Sequence, residues 1–423
     1  MATDLKQAYK TIMDDHFPSE MEITFKEGDS RQTLVYRKVS WVIDGVAKGL
    51  RYGENPGQEA AMYKLANGNL VLGDVACIQA GMPLASEPEL LQSGKHPGKI
   101  NLTDADNALN ILRYLTDRPC AIIIKHNNPC GVALGSTLAE AYYRANKADR
   151  LAAFGGCIAL NRTCDRETAE LILQNYAEVV LAPDYADGVM EMFATKKNLR
   201  VMRIRNMERL RDYEASRFVD FKSMMDGGLV AQWSFVPTAR TVDALLPAEC
   251  TTKDGVLHKV TRQPTAAELD DLLFGWLVEA GVTSNSVLYV KDGVTVGIGT
   301  GEQDRVGVAE IARDKAYRKL ADWYAWEKWQ TPYNELQLKF GDEGRSHQKE
   351  ADEYSAAEHG GLAGAAMVSD AFFPFRDGAE VGIREGITSI VQPGGAIRDW
   401  DVIDCCNENN VAMVFTGQRS FKH

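Results

Sequence analysis

Residues 121–131 read Ala-Ile-Ile-Ile-Lys-His-Asn-Asn-Pro-Cys-Gly, and this stretch decides the fold class. Its three isoleucines show no polar alternation, which predicts a strand buried on both faces, as in a parallel sheet. The Asn-Asn-Pro-Cys-Gly sequence that follows is rich in turn formers and predicts a turn at the end of the strand. Because ligands of open α/β sheets bind beyond the carboxyl ends of strands, we expect Lys125 and His126 to lie at a functional edge.

The segments around this strand predict alternating helices and strands. Apolar residues recur at helical spacing in 104–115, where Thr103 is placed to cap the helix. A second helix is expected to start near Thr137, with Glu140 as its capping partner. The run Val179–Pro183 predicts another short buried strand. The first half of the chain is therefore expected to be α/β.

The second half of the chain shows the same mixture of patterns. Thr265 and Glu268 are spaced as a capping box for a helix that reaches about Ala280. Residues 310–360 are rich in charge and tryptophan and poor in β-branched residues, which predicts a helical insertion. Four further strands are expected, at Val287–Val290, Val294–Ile298, Thr388–Val391 and Val411–Phe415, the first two joined as a hairpin by Lys291-Asp292-Gly293.

The length of 423 residues exceeds what one hydrophobic core usually supports, so two or three packed units are expected. The consecutive glycines at 227 and 228 mark a break in the pattern. We expect an N-terminal extension at 1–40, a first α/β unit at 41–235 and a second at 236–423.

The composition disfavours several classes of protein. The net charge of −12 argues against general nucleic-acid binding, which needs a basic surface. No apolar run is long enough for a membrane helix, and the N-terminus lacks the basic and apolar regions of a signal peptide. The eight cysteines include no C-x-x-C pair, which indicates reduced thiols in a cytoplasmic protein.

The Lys125-His126 pair is the first candidate for chemistry. An imidazole exchanges a proton near neutral pH, and a neighbouring ammonium group stabilises developing negative charge. A zinc deaminase would need H-x-E followed by P-C-x-x-C. Asn128 stands where that glutamate would be and Ala133 where the second cysteine would be, so no metal is expected. A nucleophilic Cys130 beside His126 is an alternative.

Other motifs gather arginines, glycines and aromatic residues near predicted turns. Arg51 opens Arg-Tyr-Gly-Glu-Asn-Pro-Gly-Gln, and Arg305 follows a glycine-rich hairpin end. Residues 370–377 read Asp-Ala-Phe-Phe-Pro-Phe-Arg-Asp, which is either a core aromatic cluster or a platform for a flat ring. Gln392–Gly395 is expected to offer free backbone N–H groups, and Arg419 follows the last predicted strand, so both suit an anion.

Together and in this order, these motifs resemble those of the AICAR transformylase family over roughly residues 45–423. Lys125–Gly131 is similar to the family's K-H-x-N-P-C-G, Arg51–Gln58 to R-Y-G-x-N-P-H-Q, and Asp370–Asp377 to D-A-F-F-P-F-R-D. The resemblance implies formyl transfer from 10-formyltetrahydrofolate to the 5-amino group of AICAR, which gives FAICAR. It also implies two related α/β/α subdomains similar to the cytidine-deaminase fold, and a homodimer with the site between subunits.

The same resemblance implies roles for individual residues. Lys125, His126 and Asn285 are expected to be catalytic. The residues expected to bind substrate are Arg51, Tyr52, Asn128, Gly155, Glu178, Arg305, Phe372, Asp377 and Arg419, of which Arg305, Phe372 and Asp377 contact either substrate or folate. The folate is expected to contact Asn285, Arg305, Val306, Pro393 and Gly394.

Three residues depart from the family pattern. Gly57 replaces a histidine, Asp304 a serine and Ser420 a common histidine. These changes support one alternative, a non-catalytic nucleotide- or folate-binding regulator. A second alternative, a deaminase-like nucleotide hydrolase, would require bound zinc. The Arg51 motif also lies too early for the family's additional N-terminal domain, so no IMP cyclohydrolase activity is expected.

Overall fold

The computed structural model describes residues 5–77 and 79–423. The strands are β1 (Glu20–Glu27), β2 (Ser30–Lys38), β3 (Trp41–Ile43), β4 (Val46–Lys48), β5 (Tyr63–Asn67), β6 (Val71–Leu72), β7 (Val75–Ala76), β8 (Glu89–Gln92), β9 (Cys120–Lys125), β10 (Asn128–Leu134), β11 (Gly156–Leu160), β12 (Ala177–Ala182), β13 (Arg200–Arg203), β14 (Val219–Ser223), β15 (Leu229–Trp233), β16 (Leu246–Pro247), β17 (Glu249–Thr251), β18 (Leu257–Lys259), β19 (Val287–Lys291), β20 (Val294–Gly299), β21 (Ala366–Ser369), β22 (Ser389–Gln392) and β23 (Ala412–Phe415).

The α-helices are α1 (Leu5–Ala8), α2 (Lys99–Leu112), α3 (Leu138–Ala148), α4 (Arg150–Ala153), α5 (Arg166–Leu173), α6 (Val189–Phe193), α7 (Ala266–Glu279), α8 (Arg305–Trp329), α9 (Leu336–Phe340), α10 (Asp342–Ala357), α11 (Arg376–Ile383) and α12 (Asp399–Glu408). Short 3₁₀ helices span Arg205–Tyr213, Val242–Ala244, Tyr333–Glu335 and His359–Gly361. Within the described ranges, none of the helices combines the length and apolar character needed to cross a membrane.

The chain forms two compact units, each discontinuous in sequence. Unit 1 contains the residues up to Pro119 together with Gly155–Val236. In it β11, β12 and β13 run parallel, and β8 pairs antiparallel with β13. Helix α2 packs against β11 and β12. A separate antiparallel sheet, in the order β1-β2-β5, closes over its own small core of Leu34, Leu70 and Cys77.

Unit 2 contains Cys120–Phe154 and Pro237–His423. Its strands follow the order β16-β23-β22-β21-β19-β20-β10-β9, with parallel pairing of β21 to β22 and of β22 to β23. On β19, the Tyr289 hydroxyl bonds to the carbonyl of Ala309 in α8, and Val290 packs against Gly275 of α7. Because successive strand side chains point to opposite faces, α7 and α8 cover the two faces of this sheet.

The α/β class expected from the sequence is confirmed by this arrangement. Residues 310–360 are largely helical, in α8, α9 and α10. Cys120–Phe154 packs with the C-terminal part of the chain, although the expected contiguous division at residue 235 would place it in the first part. The division into two related subdomains therefore stays a prediction.

The segment after the buried isoleucines differs from its expected form. Strand β9 is buried as expected, but it pairs antiparallel with β10, and only His126 and Asn127 form the turn between them. Asn128 to Gly131 belong to β10 rather than to a turn. Pro129 is accommodated because the register shifts between Pro129 and Gly131, a bulge at which the missing N–H of proline costs little.

Two of the three predicted helix caps are present at the N-termini of the helices. Thr265 and Glu268 form the predicted capping box of α7, and Thr137 accepts the N–H of Glu140 at the start of α3. Thr103 is not a cap, because α2 begins earlier, after Gly98. At that position the Asn101 side chain accepts the N–H of Gly98 at 3.1 Å. Glu or Gln usually makes this contact in a capping box.

Gly131 is required by packing rather than by a turn. A Cβ built on Gly131 would lie 2.0 Å from the carbonyl oxygen of Ala145, so β10 and α3 would have to separate. We predict that Gly131→Ala lowers the free energy of unfolding by about 3 kcal/mol, measured by urea denaturation. Gly228→Ala is the control, because its nearest contact is the flexible side chain of Asp226 at 3.2 Å. Equal stability of the two variants would contradict this packing constraint.

Candidate functional site

The turn between β9 and β10 carries the Lys125-His126 pair. His126 has φ 52° and Asn127 φ 62°, so both central residues occupy the left-handed region that two-residue hairpins favour. Such backbone conformations are uncommon for residues other than glycine and cluster at functional sites. The His126 side chain is exposed, and its ring makes no hydrogen bond within the described part of the chain. Lys125 Nζ donates to the carbonyl of Phe154 at 2.8 Å.

Asn128 connects this turn to a second loop of unit 2. Its Oδ1 accepts the backbone N–H of Thr283 at 2.9 Å. Two residues further along the same loop stands Asn285, which is half-buried. The three residues expected to be catalytic, Lys125, His126 and Asn285, therefore lie on two loops that are bonded to each other.

A buried ion pair supports the Asn285 loop. Arg305 Nη2 donates to Asn285 Oδ1 at 2.8 Å, and Arg305 Nη1 pairs with Asp370 Oδ1. Asp370 is fully buried, and its Oδ2 accepts the hydroxyl of Ser284 at 2.6 Å. Arg305 Nη1 also lies 3.2 Å from Ser369 Oγ. The expected contact of Arg305 with nucleotide or folate stays a prediction.

A second buried acid, Glu279, lies in the same region of unit 2. Its Oε2 accepts the hydroxyl of Ser286 at 2.6 Å. Burial, assisted by the charge of Asp370, raises the pKa of the Glu279 carboxyl well above its usual range. Burial therefore favours the protonated form of Glu279, and the carboxylate that pairs with Arg305 is that of Asp370.

The C-terminal segment is held against both loops. The N–H of Ser420 donates to the carbonyl of Asp370 at 2.8 Å, and Ser284 and Lys422 exchange two bonds, of 3.0 and 3.2 Å. Lys422 Nζ also donates to the carbonyl of Asn127 at 3.3 Å. Lys422 thus connects the His126 turn to the Asn285 loop, a role that no motif in the sequence predicts.

Other expected site residues of unit 2 are open to solvent. Arg419 is exposed and stacks over the ring of Phe421, 4.6 Å from its centroid. Phe372 is 42% exposed, and Asp377 is exposed in the first turn of α11. Val306 is half-buried in the first turn of α8. Their accessibility is compatible with ligand contact, and their roles stay predictions.

The glycine turn at Gln392–Gly395 is less available to an anion than expected. Pro393 is buried and offers no N–H, and the side chain of Gln392 is fully buried. The N–H groups of Gly395 and Ala396 donate to Asp399 Oδ2 at 2.6 and 3.0 Å. The expectation of freely available N–H groups is wrong at Gly395, because the carboxylate of Asp399 in α12 already accepts this N–H.

In unit 1, Arg51 lies near the start of α2. The N–H of Arg51 donates to the carbonyl of Pro97, and the carbonyl of Tyr52 accepts the N–H of Lys99. Arg51 is 7% exposed, and its Nε and Nη1 have no hydrogen-bond partner within the described ranges. Its guanidinium lies over the ring of Tyr52, 4.5 Å from the centroid. Unpartnered buried donors beside a helix N-terminus are suited to an anion.

Glu178 lies at the centre of a second cluster of hydrogen-bonded side chains in unit 1. Its Oε2 accepts Arg200 Nη1 and Asn101 Nδ2, each at 3.3 Å. Arg200 is fully buried, and burial lowers the pKa of its guanidinium to about 10, with Arg51 contributing through charge repulsion. Gly155, with φ 77°, donates its N–H to the carbonyl of Tyr176 at 2.7 Å.

Several of these residues were missed by the sequence analysis. Arg200 stands in a short strand with no motif, and Asn101 precedes residues 104–115, where the helix was expected. Asp370 opens a recognised motif, but its role as the partner of an arginine 65 positions earlier leaves no local signal. The set comprises Asn101, Arg200, Glu279, Ser284, Asp370 and Lys422.

Cys130 lies on β10 and is 7% exposed. Burial raises the pKa of its thiol to about 12. Within the described ranges, no group of three or more His, Cys, Asp or Glu side chains is arranged to hold a metal ion.

Comparisons with known proteins agree with the motifs. Residues 5–315 match the model of the AICARFT/IMPCHase bienzyme family. The bifunctional purine biosynthesis protein PurH of Aquifex aeolicus is 37% identical over 375 residues, which cover 88% of this chain and 59% of that protein. PurH of Agrobacterium fabrum is 37% identical over 411 residues, 94% of this chain and 62% of that protein.

The chain therefore spans about 60% of the length of these curated relatives. The family match covers most of the chain and includes the Arg51, Lys125-His126 and Arg305 motifs. The chain belongs to the AICARFT/IMPCHase bienzyme family.

Proposed function

We propose that this protein transfers the formyl group of 10-formyltetrahydrofolate to the 5-amino group of AICAR, giving FAICAR and tetrahydrofolate. The observation that supports the proposal is the hydrogen bond between two loops of unit 2, one of which follows Lys125 and His126 while the other contains Asn285. A base, a cation and an amide are the groups that acyl transfer to a weak amine requires.

The chemistry assigns a role to each group. The AICAR amine is a poor nucleophile because it is conjugated to a carboxamide, so His126 accepts its proton, directly or through the carboxamide, as nitrogen attacks the formyl carbon. The tetrahedral intermediate carries a negative oxygen, which Lys125 and the Asn285 amide stabilise. The C–N10 bond then breaks, N10 takes a proton from Lys125, and tetrahydrofolate leaves.

The nucleotide phosphate is assigned to Arg51 and Arg419. Support comes from the family motifs and from the unpartnered, buried Nε and Nη1 of Arg51. Tyr52, Gly155 and Glu178 are proposed to complete the nucleotide contacts. Asn128, Arg305, Phe372 and Asp377 are proposed to contact substrate, and Asn285, Arg305, Val306, Pro393 and Gly394 the folate.

Further properties follow from family membership as proposals. They are two subdomains similar to the cytidine-deaminase fold, a homodimer with the site between subunits, and a cytoplasmic location.

His126→Asn is the sharpest test of the proposed base. Asparagine tolerates positive φ, so the substitution removes the imidazole while keeping the turn. We predict that kcat for formyl transfer falls roughly 10²-fold or more, as for other positioned acid–base groups. Asn127→Gly is the control, because it also keeps the turn and retains the imidazole, and its kcat should stay within about threefold of wild type. Similar rates for wild type and His126→Asn would exclude His126 as the base.

Arg51→Met tests the phosphate assignment. Loss of a charge-assisted bond of about 2 kcal/mol should raise the KM for AICAR roughly 30-fold. The KM for the corresponding nucleoside, which lacks the phosphate, should change little. Arg113→Met is the control, since this buried arginine of unit 1 donates to the carbonyls of Tyr213 and Phe235. An Arg51→Met enzyme that still prefers nucleotide to nucleoside as strongly as wild type would refute the assignment.

Cys130 tests the nucleophile alternative. A thiol with a pKa of about 12 is protonated at pH 8, so iodoacetamide should leave Cys130 unmodified in the folded protein. The half-buried Cys250 should be alkylated first, as peptide mass mapping would reveal. Cys130→Ala should retain kcat within about threefold, whereas loss of a covalent nucleophile removes nearly all activity. Alkylation of Cys130 with parallel inactivation would support the alternative.

A further inference from the structure

The orientation of the Asn285 carboxamide is fixed from inside the protein. A guanidinium group only donates hydrogen bonds, so the Asn285 atom that faces Arg305 Nη2 at 2.8 Å must be the acceptor oxygen. The amide nitrogen therefore points in the other direction on the carboxamide. That nitrogen is the atom that an oxygen with developing negative charge requires.

The Arg305 guanidinium is itself held by Asp370. Asp370 and Arg305 form an ion pair between side chains that are 0% and 8% exposed. Ser284 Oγ fixes the other carboxylate oxygen at 2.6 Å, and Ser369 Oγ lies 3.2 Å from Arg305 Nη1. A planar fork with this many fixed partners has little freedom to rotate, so it defines one position for the Asn285 oxygen.

We propose that Asp370, acting through Arg305, is a positioning residue that presents the Asn285 amide N–H groups to the formyl oxygen. This inference rests on the proposed formyl transfer and assigns neither Asp370 nor Arg305 a bond to the reacting atoms. Asp370→Asn keeps the shape of the side chain but removes the charge that faces Arg305. The guanidinium is then free to shift, and the Asn285 amide loses its fixed orientation.

A double-mutant cycle on kcat tests whether Asp370 acts through Arg305 on Asn285, an arrangement called the relay below. Asn285→Ala alone should lower kcat roughly 10²-fold, the scale for one oxyanion donor. Asp370→Asn alone should lower kcat roughly tenfold and leave the KM for AICAR within about twofold, because an oxyanion contact acts in the transition state. In the Asn285→Ala background, Asp370→Asn should have no further effect on kcat. Effects that multiply in the double variant would overturn the relay, as would an unchanged kcat in Asp370→Asn.

Stability is followed in parallel by thermal unfolding. Asp322→Asn is the matched control, because Asp322 is 1% exposed and pairs with Arg150 at 3.2 Å in the same unit but has no bond to the Asn285 loop. Its kcat should equal that of wild type despite a similar loss of stability. A fall in kcat as large as that of Asp370→Asn would show a general effect of destabilisation and would count against the relay.

Ser284→Ala replaces Asp370→Asn in the cycle if the latter fails to fold. It removes the bond to the Asp370 carboxylate and the bond that Ser284 Oγ accepts from the N–H of Lys422, without removing a charge. We expect kcat to fall roughly threefold, again only when Asn285 is present. Multiplicative losses in this second cycle would likewise overturn the relay. A wild-type protein without formyl transfer would refute the proposed function, whereas an active wild type with multiplicative effects would refute the positioning role alone.

Discussion

The positive φ of His126 and Asn127 is the constraint on which the site depends. Each non-glycine residue held in the left-handed region costs about 1 kcal/mol or more. The hairpin of β9 and β10, the bond from Thr283 to Asn128, and Lys422 hold the turn from three sides. The strained turn projects an exposed imidazole from a strand whose isoleucines are fully buried. A rigid support for an accessible base is what acid–base catalysis requires.

The buried arginines of the two units differ in how fully their N–H groups are hydrogen-bonded. In unit 2, both terminal nitrogens of Arg305 bond to protein groups, so its charge is neutralised internally and orders a neighbour. In unit 1, Arg51 and Arg200 retain buried N–H groups without partners in the described ranges. Unpartnered buried donors of this kind are suited to an anionic ligand, which is the role proposed for Arg51. The proposed positioning role of Arg305 and the proposed phosphate-binding role of Arg51 thus correspond to different degrees of hydrogen-bond satisfaction.

The sequence predicts the buried elements better than their connections. The isoleucines of β9 and the capping box of α7 are local signals, and both appear as expected. Pro129 was expected in a turn, because proline usually interrupts a strand. The structure places it in β10, where a bulge accommodates it. The start of α2 was missed because Asn101 replaces the usual Glu or Gln partner.

The candidate site shows the same difference between local signals and long-range contacts. Motifs locate Lys125, His126 and Asn285, since each stands in a recognisable run of residues. The partners that orient them come from distant parts of the chain, such as Asp370 for Arg305 and Lys422 for Asn127. No local pattern encodes a contact across 65 or 295 positions, so only the folded chain reveals it.

The most direct measurement is a quantitative product analysis of the purified protein with AICAR and 10-formyltetrahydrofolate. Mass spectrometry would follow N-formylated AICAR, tetrahydrofolate and free ammonia over the same time course. Formyl transfer should give FAICAR and tetrahydrofolate in equal amounts and no ammonia. Ammonia released from the nucleotide would indicate deamination, and binding of both substrates without turnover would indicate a regulator. Either result would refute the proposed formyl transfer.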